Sequence, residues 1–205
     1  WSEKRDMKMH VHWGIILGSV VVCLVLGIVG KNSIYYLLVA SSFFFLAYTV
    51  VFSGVLQWLF GSCPLYCVRQ LMLFMAYMLT IFTLMFTRKY IGRRRLGTGL
   101  NRWFGCFLLL YGILSIVVLA SPFRVGVALV QIGIIAAYLF GWLVSIRTLV
   151  KHPDAGMRLI ALAWTFMILA LFWFIAALFG WVPWLVNPLN FLHLFNWAIF
   201  LLFLV

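Results

Sequence analysis

Carboxylates are almost missing from this chain: among 205 residues only Glu3, Asp6 and Asp154 are acidic, against 15 Lys and Arg, and charged residues of both signs make up 9%. Hydrophobic residues account for 67% and the mean hydropathy is +1.18, so too little polar surface remains to cover a soluble globule. The composition predicts an integral membrane protein of the all-α class. All three acids fall in loops or in the N-terminal tail, leaving the apolar segments without a group to carry a proton or activate a water. That argues against a proton-coupled transporter and against an aspartyl intramembrane protease. Cysteine is scarce too: four residues, two of them inside apolar runs, do not describe a disulfide-built protein. No leader pattern precedes the first apolar run. A start at Trp1 rather than Met, and an end at Val205 inside an apolar run, predict ends that are cut or processed.

What the chain has instead is a series of long apolar runs, each near the length needed to cross about 30 Å of hydrocarbon. They lie at about 13–30, 34–56, 65–87, 103–120, 125–146, 159–180 and 189–205, which predicts a seven-helix bundle preceded by the end of a linker at 1–12. Lys31-Asn32-Ser33 and Ser121-Pro122-Phe123-Arg124 are short turns, so the runs beside them are antiparallel neighbours. Gly133, Ala137 and Gly141 recur every four residues and form a small-residue ridge suited to close helix packing; Gly14 and Gly18 form a G-x-x-x-G in the first run.

One segment organises the topology. Between Arg88 and Arg102 stand six basic residues, Arg88, Lys89, Arg93, Arg94, Arg95 and Arg102, without an acid. Short loops rich in Lys and Arg are retained in the cytoplasm. The loop 147–158, with Arg147, Lys151 and Arg158 against Asp154, and the turn with Lys31 agree with it, whereas the alternate loops hold only Arg69 and Arg124. The N-terminus is therefore expected outside and the C-terminus in the cytoplasm. The net charge of +12 is read as topology and lipid headgroup contact by those six residues, not as a nucleic-acid footprint, because the basic loops are separated by apolar runs.

Four segments, in this order and spacing, resemble the membrane domain of the bacterial seven-transmembrane receptors with diverse intracellular signalling modules, the 7TMR-DISM class. They are Gly30-Lys31-Asn32-Ser33-Ile34-Tyr35-Tyr36; Ser53-Gly54-Val55-Leu56-Gln57-Trp58-Leu59; Phe86-Thr87-Arg88-Lys89-Tyr90-Ile91 followed by Leu100-Asn101-Arg102; and Arg158 to Trp164 running on to Gly180-Trp181-Val182-Pro183. The resemblance covers nearly the whole chain. It implies a sensor domain in a bacterial inner membrane that relays an extracytoplasmic or membrane signal to a cytoplasmic module of the histidine kinase or diguanylate cyclase type, with an extracytoplasmic sensory domain preceding the first span. No enzyme is expected within these residues. A homodimer, a small-molecule transporter and a non-catalytic assembly subunit stay open.

Candidate site residues are few. His193 is the one ionisable group well inside a run, and Gln57, Gln131 and Asn196 are embedded or adjacent amides; ligand contact and helix pairing are the two roles considered for them. One embedded His completes neither a metal site nor a bis-His haem site, so no metal or cofactor is predicted. Ser53 and His193 lack the surroundings of a catalytic pair, and no catalytic residue is assigned. Cys63 and Cys67 are about one helical turn apart; a loop disulfide and two separate thiols both fit.

Overall fold

The computed structural model of the chain describes residues 20–52 and 65–178, together with the single positions 14, 17, 18, 198, 201 and 202. Among the described residues no strand occurs. Six helices follow one another: α1 (Val20–Gly30), α2 (Ser33–Phe52), α3 (Gln70–Gly92), α4 (Arg95–Ala120), α5 (Phe123–Lys151) and α6 (Ala155–Leu178). Five of them, α2 to α6, are long and apolar enough to cross a membrane, which makes this a multi-pass membrane protein. The expected seventh span, 189–205, and the connection 53–64 lie outside the described residues, apart from single positions near the C-terminal end.

These helices are apolar on nearly all sides, the pattern of segments surrounded by hydrocarbon. Trp103 is 71% and Ile116 69% exposed, which water would penalise and lipid accepts. Several buried serine and threonine hydroxyls are satisfied within their own helices. Thr80, Thr83 and Thr87 donate to the carbonyls of Ala76, Leu79 and Thr83 at 2.8–2.9 Å, and Ser42 and Thr49 of α2 do the same toward Leu38 and Phe45. Polar residues mark the helix starts. Asn32 Oδ1 accepts from the Ile34 amide at 3.1 Å and opens α2; Asp154 Oδ1 accepts from the Met157 amide at 2.7 Å and opens α6.

The basic segment departs from expectation. The sequence reading leaves all of 88–102 outside the helices, yet helical geometry continues from Leu65 to Ala120 with two interruptions, at Gly92 (φ 76°, ψ 153°) and Gly97 (φ 72°, ψ 165°). Arginine and lysine are good helix formers, so the segment stays helical wherever glycine does not break it. Both breaks occupy a region of backbone space open in practice to glycine alone. The reversal between α3 and α4 therefore falls on the two glycines, with Arg88 and Lys89 on the last turns of α3 and Arg95 and Arg102 on the first turns of α4.

The chain divides into two compact units, Trp1–Ile134 and Ile135–Val205, whose boundary falls within α5. In the first, Gly27 of α1 faces the Tyr35–Tyr36 pair of α2; Phe44 of α2 stacks on Phe82 of α3 with ring centroids 5.2 Å apart. Tyr77 of α3 meets Tyr111 of α4 edge-on at 5.2 Å, and its hydroxyl donates to the Leu129 carbonyl of α5 at 2.9 Å. Gln70 Nε2 reaches the Ser121 carbonyl at 2.8 Å and caps the turn after α4. In the second unit the remainder of α5 packs on α6 through Trp164, a fully buried residue that meets Tyr138 edge-on at 5.8 Å.

Gly97→Ala should lower unfolding stability by roughly 1–3 kcal/mol, through backbone strain alone, because the space around the added methyl is open. Gly99→Ala, two residues on in helical geometry and equally uncrowded, should be neutral or gain up to about 1 kcal/mol. Circular dichroism during denaturant titration in micelles separates the two; equal losses would remove the role given to the positive φ.

Candidate functional site

Where α2 begins, α3 ends and α4 begins, the first unit carries an open groove of about 650 Å³, within the size range of small-ligand sites. Its polar lining comes from Ser33, Arg88, Lys89 and Asn101. Arg88, half-buried, donates from Nε to Asn101 Oδ1 at 2.9 Å, and its guanidinium lies over Gly105, where a methyl group would be 3.8 Å away. Lys89, exposed, donates from Nζ to Ser33 Oγ. The acceptors in both bonds are neutral. No Asp or Glu occurs between Asp6 and Asp154, so no carboxylate from that stretch balances either cation.

Local sequence explains the arrangement. Asn32 caps α2 and so sets Ser33 on its first turn, while Arg88 and Lys89 fall on the last turn of α3 before the break at Gly92. Asn101 and Gly105 are four apart and share one face of α4, giving the guanidinium an acceptor with an unobstructed position beside it. Two of the four segments that carry the family resemblance, Gly30–Tyr36 and the pair Phe86–Ile91 with Leu100–Arg102, meet at this groove.

A second feature is the small-residue ridge of α5. In the first unit a methyl group on Gly133 would lie 2.9 Å from the Tyr77 hydroxyl and 3.0 Å from that of Tyr111. In the second unit a methyl on Gly141 would lie 2.5–2.7 Å from three ring carbons of Trp164, and Ala137 is fully buried. The spacing predicted from sequence thus marks positions where large aromatic side chains lie directly on the α5 backbone. Beside the second of them, Trp142 Nε1 donates to Thr165 Oγ1 at 3.1 Å, a hydrogen bond between α5 and α6. At Gly14 and Gly18 an added methyl meets nothing within 4 Å.

Of the expected headgroup cations, Arg88 and Lys89 line the groove, Arg95 and Arg102 are exposed on α4, and the side chains of Arg93 and Arg94 lie outside the described residues. Gln131 is exposed on α5, turned away from the buried core, while Gln57, His193, Asn196 and Cys63 lie outside the described residues; Cys67 is exposed. Ser33, Asn101 and Trp164 were not singled out from sequence. Asn101 had a signal, being the one amide side chain in the basic segment.

A family model described as 7TM diverse intracellular signalling matches residues 7–205. No curated protein and no solved structure matches the chain.

Gly141→Ala should destabilise by about 1–3 kcal/mol through overpacking against Trp164. Combining it with Trp164→Phe, which shortens the ring system, should recover part of that loss, a non-additivity readable from unfolding midpoints of the two single variants and the pair. Strict additivity would mean that the contact is not what Gly141 serves.

Proposed function

The chain belongs to the 7TM diverse intracellular signalling family, and from that premise we propose that it receives a signal outside the cell or within the bilayer and relays it to a cytoplasmic signalling module of the histidine kinase or diguanylate cyclase type. The observation that carries the reading is the family match along 7–205 of a multi-pass helical chain. The setting proposed is a bacterial inner membrane, with seven spans, the N-terminus outside and the C-terminus in the cytoplasm. Six cations gathered around one helical reversal support that orientation, because moving them across a bilayer is far costlier than retaining them. An extracytoplasmic sensory domain and a second copy of the chain are the further partners proposed. No enzymatic role is assigned to these residues.

Relay requires two helix packings that the stimulus distinguishes. The α5–α6 contact of the second unit supports such a role: it is held by a notch at Gly141 that fits one aromatic ring and by a side-chain hydrogen bond, Trp142 to Thr165. Breaking that bond, if it forms in one packing only, biases the equilibrium by about 1 kcal/mol, or roughly fivefold.

Thr165→Val in the full-length protein should therefore change basal output of the attached or associated module by about fivefold at unchanged abundance, read as autophosphorylation or cyclic dinucleotide synthesis in native membranes. Output that stays constant, and stays constant again with Trp142→Phe, would remove the contact from the relay. Orientation is tested separately. In a chain whose four native cysteines are replaced by alanine, Thr98→Cys should react with an impermeant maleimide only after the membrane is opened; labelling of intact cells would invert the topology.

A further inference from the structure

We propose that the groove at the joined ends of α2, α3 and α4 binds one anionic phospholipid, with its phosphoryl group between Lys89 and Arg88 and an acyl chain along Leu37, Phe82, Met85 and Leu108. The assignment rests on the multi-pass character of the chain and is independent of the relay.

The lining changes character with depth on all three helices. On α2 the groove passes from Ser33 to Leu37; on α3 it passes from Lys89 and Arg88 back to Met85 and Phe82; on α4 it passes from Asn101 to Leu108. At 1.5 Å per residue, Leu37 and Met85 lie roughly 6 Å, and Phe82 and Leu108 roughly 10 Å, farther along their helices than the polar residues. A polar, cationic rim followed by one to two helical turns of apolar wall is the profile of a glycerophospholipid seen from headgroup to chain. A free nucleotide or inorganic phosphate would satisfy the rim and leave the wall unused.

Charge selects among lipids. Lys89 and Arg88 meet neutral acceptors, Ser33 and Asn101, so these bonds bring no carboxylate to the rim, and each cation has donors beyond the bond described. Hydrogen bonds from cations to phosphate are about twice as strong as neutral ones. A zwitterionic choline headgroup would bring its own cation beside Lys89, whereas an anionic glycerol headgroup would not. Location agrees: Lys89 stands on the last turn of α3 and Ser33 on the first of α2, at the ends of spanning helices, where headgroups lie. A lipid seated there would bridge α2 to α3 through the same residues that the Lys89–Ser33 bond already joins.

The test uses the whole protein, purified in detergent, mixed with equimolar phosphatidylglycerol and phosphatidylcholine of one chain length and examined by native mass spectrometry. The expected result is a single phosphatidylglycerol adduct favoured by about tenfold or more. It should fall about tenfold with Lys89→Gln, in keeping with loss of one charge-assisted bond, and remain with Arg102→Gln, a cation of the same segment outside the groove lining. Lys89 is exposed, and a circular dichroism spectrum matching the parent's shows that its variant is folded. An adduct indifferent to headgroup, or one that persists in Lys89→Gln, overturns the site and leaves ordinary annular lipid. Displacement by glycerol 3-phosphate or adenosine 5′-monophosphate as effective as that by dihexanoyl phosphatidylglycerol overturns the lipid assignment in favour of a soluble phosphate ligand.

Discussion

The guanidinium of Arg88 and the ammonium of Lys89 sit where an apolar span ends, with no carboxylate available along the chain between Asp6 and Asp154. Neither group can enter hydrocarbon unpaired, and the chain offers them neutral partners only as far as Ser33 and Asn101. The ends of α2, α3 and α4 must consequently lie together at the level where water and headgroups begin. The reversal at Gly92 and Gly97 follows from the same need: a longer loop would release the cations to water, while two glycines in left-handed backbone geometry keep them on helix ends.

Away from that rim the governing condition is that polar atoms find partners inside the protein. Thr80, Thr83, Thr87, Ser145 and Thr148 meet it by donating to a carbonyl of their own helix four residues back, and so make few demands on neighbouring helices. Cross-helix polar bonds among the described residues include Gln70 to the Ser121 carbonyl, Tyr77 to the Leu129 carbonyl, Trp142 to Thr165, and the two at the groove. Elsewhere association depends on shape, which is why glycine faces a large aromatic ring at Gly27, Gly133 and Gly141.

This division explains what was legible in the sequence. Run length and charge placement are properties of the chain itself, and α2 to α6 fall close to the apolar runs. The ridge at Gly133, Ala137 and Gly141 was readable because backbone approach needs small residues at helical spacing. What docks on the ridge was not. In lipid an inward and an outward aromatic are both apolar, so no alternation of polarity distinguishes buried Trp164 from exposed Trp103. Gln131, read from sequence as an embedded amide, is exposed on α5. Helix boundaries in the basic segment were misjudged for another reason: charge was taken to mean loop, although Lys and Arg favour helix and glycine alone broke it.

A sensor built this way has a particular energetic character. Without a hydrophobic term between helices, alternative packings differ by contacts of about 1 kcal/mol each, so a handful of bonds can decide between them. Close aromatic-on-glycine contacts do not deform gradually: the ring of Trp164 either occupies the surface over Gly141 or leaves it, because a shift smaller than a side chain leaves a gap or a clash. Polar bonds set the bias and tight notches make the alternatives discrete. A change as small as the presence of one bound headgroup or the loss of one hydroxyl is then on the same energy scale as the equilibrium it acts upon, which is the condition a signalling membrane domain has to meet.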